Sequence, residues 1–100
     1  MEVNIVRGNS EITAFLKGRL DTPASLEIAP EMNALAEEAA GTIVLDCTEL
    51  TYISSSGLRI FLTLRKAAAA KGGRIIVRNI TNEIRSVFMM TGFPNLFEIQ

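Results

Sequence analysis

One hundred residues, 48 % of them apolar, suffice for one small domain with its own core, so residues 1–100 are expected to form a single unit. A net charge of −1, one tyrosine and no tryptophan exclude the basic face and stacking platform of a direct nucleic-acid binder, and the absence of histidine excludes a Ser-His-Asp triad, a Cys-His dyad and a histidine metal site. The lone Cys47 cannot form an internal disulfide, and with no secretory h-region and no apolar run near the ~20 residues of a membrane span the expectation is a cytoplasmic protein without a membrane partner.

Along the chain, Glu2 to Arg7 alternate, with Val3 and Ile5 on one side and Asn4 on the other. Ile12, Ala14 and Leu16 alternate with Thr13 and Phe15 in the same way. Gly8-Asn9-Ser10 between them supplies turn chemistry, which predicts an antiparallel hairpin. After Gly18-Arg19-Leu20, either Asp21 or Thr22 can cap a helix. The stretch from Pro23 to Ala40 is helical in composition but contains Pro30, and proline is tolerated in a first turn and disruptive further in. The expectation is therefore a short turn at Ala24–Glu27, then a main helix over Pro30–Ala39 that buries Met32, Leu35, Ala36 and Ala39 and stops at Gly41.

Ile43-Val44-Leu45 and Ile75-Ile76-Val77 are continuously apolar and β-branched, the pattern of strands at the centre of a sheet, and Cys47 near the end of the first reads as a small core residue. Between them Leu58 to Lys71 reads as a helix closed by Gly72-Gly73. Ile60, Phe61, Leu64, Ala67 and Ala68 share one face of it, and Arg59, Thr63 and Lys66 the opposite one. Strand, helix and strand in that order predict parallel neighbours with a right-handed crossover. Ile84, Val87, Phe88 and Thr91 repeat the helical spacing, with Thr81 or Asn82 at the start and Gly92 at the end, and Leu96–Ile99 adds a final strand. The fold class is α/β (α+β), a small mixed β-sheet with three helices.

Ser54-Ser55-Ser56-Gly57 delivers three hydroxyls and a glycine to the start of the second long helix. Unpaired N–H groups and the positive end of the helix dipole suit an anion there, and the same residue types also make an ordinary cap, so a phosphate site and a plain N-cap are both open. Ser55 is not in a G-x-S-x-G elbow, because Ile53 stands where the first glycine belongs, and no phosphate-binding loop motif occurs. Asp21 and Asp46 follow apolar strands whose ends converge, so both are candidates to lie near the Ser54–Gly57 corner; alternatively each caps a local N–H. No metal site or cofactor is expected, and without a base or a metal hydrolysis has little support. Leu58 and Leu62, one turn apart on a flank bordered by Arg59, either pack against a neighbouring helix or join Asp21, Tyr52, Arg59 and Ser54–Gly57 in a partner's footprint.

Gly18-Arg19-Leu20-Asp21, Ile43-Val44-Leu45-Asp46, Tyr52-Ile53-Ser54-Ser55-Ser56-Gly57-Leu58, Gly72-Gly73-Arg74-Ile75-Ile76-Val77 and Thr91-Gly92-Phe93 with Leu96-Phe97 resemble, in order, the signatures of the STAS domain. The stand-alone bacterial anti-sigma-factor antagonists are the branch that the chain resembles most. That resemblance implies helices packed mainly on one face of the sheet and a switch serine at the start of the second helix, which aligns on Ser55. The usual aspartate before that serine is replaced by Ser54. It further implies binding to an anti-sigma factor that is also a serine kinase, release on phosphorylation of Ser55, and restoration by a phosphatase. The rival expectation is a STAS scaffold that is not phosphorylated, or a nucleotide-binding subunit of a transporter or signalling complex.

Overall fold

The structure, a computed structural model, describes residues 1–100. Strands β1 (Glu2–Arg7) and β2 (Glu11–Leu20) form the antiparallel hairpin that their alternation predicts, with Val3 opposite Leu16 and Ile5 opposite Ala14. Helix α1 (Thr22–Glu37) leads to β3 (Thr42–Ile53), α2 (Ser55–Lys71) to β4 (Arg74–Arg78), and α3 (Asn82–Thr91) with a short 3-10 turn (Phe93–Asn95) to β5 (Glu98–Ile99). The sheet order is β1-β2-β3-β4-β5, and every pair after the first is parallel. Each parallel connection steps one strand in the same direction, so right-handed crossovers place all three helices on one face. One apolar core agrees with that placement: Ile43, Leu45 and Cys47 of β3 share it with Ile28 and Leu35 of α1, Phe61 and Leu64 of α2, and Ile84 and Phe88 of α3.

Two expectations about length are corrected. The helix drawn as a turn plus Pro30–Ala39 is one helix from Thr22, with Pro30 inside it and Ile28 and Ala24 among its buried residues. Pro30 removes the donor that would reach the Leu26 carbonyl, but both residues lie on the exposed side, where water can satisfy that group. Ala39 is buried just beyond the helix. Strands β2 and β3 also run on to Leu20 and Ile53, farther than their apolar runs. They do so through two irregularities, at Phe15/Lys17 and Gly18/Arg19, where β3 carries the extra residue and Gly18 adopts a left-handed φ of 101°. This extension brings both strand ends to the place where α1 and α2 begin.

Candidate functional site

Leu20 and Ile53 are paired at the ends of β2 and β3, and the Ser54 N–H donates to the Leu20 carbonyl at 2.9 Å. The chain leaves this point twice into helices. Asp21 caps α1, its Oδ1 accepting the Ala24 N–H at 3.0 Å, and Ser54 caps α2, its Oγ accepting the Gly57 N–H at 3.2 Å. The two helix starts are joined by Thr22 Oγ1 and Ser56 Oγ, 3.4 Å apart. Gly57 is buried against Leu20 and Ile53; a Cβ there would stand 2.7 Å from Leu20 Cγ and 2.8 Å from Ile53 Cγ1. It shapes the corner from beneath, and its burial gives it a packing role that the expectation of a contact residue did not include.

The three serines thus divide. Ser54 is the cap, Ser56 meets Thr22, and Ser55 is exposed at the first helical position with its hydroxyl in no protein hydrogen bond. The Asp21 carboxylate offsets the positive end of the α1 dipole, whereas α2 has the neutral Ser54 as its cap and no acidic residue in its first turn, so the positive end of the α2 dipole has no acidic residue of its own helix against it. Serine and aspartate are both strong N-caps, so Ser54 preserves the helix start while leaving one negative charge fewer beside Ser55.

Tyr52 is 40 % exposed and carries the Arg19 guanidinium over its ring at 4.3 Å. Arg19 pairs with Tyr52 across the strands, and sequence reading missed it as a site residue because the pairing exists only once both strands extend through their irregularities. Leu58 and Leu62 are half-buried and pack on the core, so one part of each is covered and another part faces solvent. Arg59 is exposed, and with Ser56, Ile60, Thr63 and Leu64 of α2 and Met32 and Asn33 of α1 it lines a hollow of about 130 Å³ between the helices.

Asp46 does not belong to this corner. It lies eight residues before Ser54 on β3, on the order of 20 Å along the strand, and alternates with the helix-facing Leu45 and Cys47 onto the opposite side of the sheet. Its Oδ1 accepts the Thr48 N–H at 3.0 Å and the Thr48 hydroxyl at 2.7 Å, and Oδ2 accepts from Asn79 Nδ2 at 3.2 Å. The carboxylate therefore satisfies a backbone group at the irregularity in β3, the local-cap alternative. Burial works against its charge, but the Thr48 and Asn79 bonds and the nearby Arg78 outweigh it and hold its pKa below the usual carboxylate range. Next to it, burial and then the Asp46 charge push the Cys47 thiol up to about 12, so this cysteine is an unreactive core residue.

No group of three or more His, Cys, Asp or Glu side chains is placed to hold a metal ion, and no helix is long and apolar enough to cross a membrane. What the corner offers is an accessible hydroxyl on a fixed helix start, flanked by the polar surface of Tyr52 and Arg59.

Comparison with known proteins identifies the family and the fold. The STAS domain family model matches residues 3–100. BtrV of Bordetella bronchiseptica (strain RB50), named provisionally as an anti-sigma factor antagonist, is 26 % identical over 99 residues, which span 99 % of this chain and 85 % of BtrV. Among solved structures, the anti-sigma factor antagonist SpoIIAA in its unphosphorylated form superposes with a TM-score of 0.81 at 22 % identity, covering 99 % of this chain and 88 % of that one. The Bacillus cell fate determinant SpoIIAA in its phosphorylated form gives 0.75 at 23 % identity, covering 99 % and 91 %. These likenesses bear out the mixed sheet with three helices.

Proposed function

The chain belongs to the STAS domain family, and on that premise we propose that it is an anti-sigma-factor antagonist, a regulatory binding protein of the bacterial cytoplasm and not an enzyme. Unphosphorylated, it binds an anti-sigma factor that is also a serine kinase, and so frees a sigma factor for transcription. That kinase phosphorylates Ser55 and ends the binding; a phosphatase restores it. The name of BtrV and the fold shared with SpoIIAA support the partner class.

The observation that carries the reading is the division of the three serines. Two hydroxyls are engaged at the corner, and Ser55 alone stands exposed without a protein partner. A phosphate there brings about −1.5 to −2 charge to a helix start, which favours it by ~0.3–1 kcal/mol, so the fold tolerates what a partner packed over the corner would have to desolvate. The footprint comprises Tyr52, Ser54, Ser55, Ser56 and Arg59, with the uncovered sides of Leu58 and Leu62 as its apolar centre and Asp21 at its border. The rival nucleotide-binding reading draws no support from the hollow between α1 and α2, since about 130 Å³ is well below the roughly 300–1,000 Å³ of small-molecule sites. Incubation with the cognate kinase and ATP, followed by mass spectrometry, tests the assignment. Label on Ser55, lost in Ser55→Ala, is the expected result; label kept in that variant, or found chiefly on Ser54 or Ser56, overturns it.

A further inference from the structure

Arg59 lies four residues after Ser55 on α2, the spacing at which side chains meet on one helix face, and both residues are exposed. The order is the favourable one, with the acceptor of negative charge toward the helix N-terminus and the cation one turn later. Arg59 is also uncommitted. Arg7 and Arg74 are held in two-pronged pairs with Glu38 and Glu98, Arg65 donates to the Leu96 carbonyl, and Arg19 rests on Tyr52. The guanidinium of Arg59 has no hydrogen bond or ion pair; only its main-chain carbonyl is used, by the Thr63 hydroxyl.

We propose that Arg59 is the internal partner of a phosphate on Ser55, so that modification both adds negative charge and withdraws this cation from the partner's footprint. The proposal rests on the reading of Ser55 as the phosphorylated residue. A phosphate offers the planar guanidinium two acceptor oxygens at once, a geometry that suits arginine better than lysine. In the unmodified protein the same guanidinium is free to meet an acidic group on the partner. One side chain thus takes opposite roles in the two states, and the change of surface is larger than that of the phosphate alone.

The other charged and polar groups at this corner include Asp21 and Thr22 at the start of α1, Arg19 and Tyr52 at the strand ends, Ser54 and Ser56 on either side of Ser55, and Asn33 across the hollow. All of them stay constant in a comparison that alters Arg59 alone. The test uses full-length protein with phosphoserine installed at position 55 during synthesis, so no kinase is needed, and follows the phosphate by ³¹P NMR titration. Its second pKa is expected to rise by about 0.15–0.4 in Arg59→Gln, the size of one exposed helical ion pair. Arg59→Lys should recover part of the difference, ~1 M salt should shrink it, and Arg85→Gln on α3 should leave the phosphate unchanged. Equal pKa values with arginine and glutamine at position 59, or an equal change from Arg85→Gln, overturn the proposal. Because the phosphate is placed chemically, that failure would leave kinase labelling of Ser55 untouched, and failed labelling would leave this titration untouched.

Discussion

Ser54 and Ser55 are adjacent in the chain and differ in what holds them. Ser54 Oγ accepts the Gly57 N–H, whereas Ser55 presents a free hydroxyl to solvent. Ser54→Ala is therefore expected to lower stability by about 1 kcal/mol, and Ser55→Ala to change it by less than about 0.5 kcal/mol, as urea denaturation would measure. Similar losses at both positions would mean that the cap is shared. Asp46 gives a second prediction at this scale. Its carboxyl is held below the ordinary range, so the stability it contributes is complete above the unfolded-state value near ~3.9 and is lost as pH falls through the lower folded-state value. The urea midpoint of the native protein should exceed that of Asp46→Asn at pH 6, and the gap should narrow toward pH 3. A gap of constant size contradicts the account. That a cluster of serines stands at the start of α2 was legible from the serines and glycine before a helical pattern, but only the family resemblance singled out Ser55 among them. The place of Asp46 was not legible, because the residues after it, Cys47 to Ile53, mix polar and apolar types without alternation and hide the continuation of the strand.

Among the elements, α1 departs furthest from its sequence pattern. A proline at position 30 argues for two pieces, yet the buried residues Ala24, Ile28, Met32 and Leu35 continue at helical spacing across it. Tertiary burial on one face outweighs one missing backbone bond on the other, which local propensity cannot weigh. The two possibilities give opposite signs for one substitution. In a continuous helix Pro30→Ala restores a donor to the Leu26 carbonyl and should stabilise the protein, by about 1 kcal/mol or more. In a loop the same change would destabilise it by ~0.4–1 kcal/mol through the freer unfolded chain. Thermal denaturation of the variant distinguishes them. The strands β3 and β4, by contrast, are where their continuous apolar runs predict, as parallel neighbours with Ile43 beside Ile75 and Leu45 beside Val77.

For the whole molecule, a sheet that adds one strand at a time in the same direction puts the helices on one face and gathers the starts of α1 and α2 at one corner. The sequence pattern reached this topology because strand and helix alternate after the hairpin, and it fell short at the corner because the irregular ends of β2 and β3 carry residues of weak strand propensity, Gly18 among them. A corner built on two helix starts can receive a phosphate without disturbing the core beneath it, so binding is expected to change while the fold does not. The most direct test is titration calorimetry of the cognate anti-sigma factor against the unmodified protein and against the same protein stoichiometrically phosphorylated at Ser55. The account predicts at least ~10-fold weaker binding by the phosphorylated form, about 1.4 kcal/mol. Equal affinity of the two forms would contradict it.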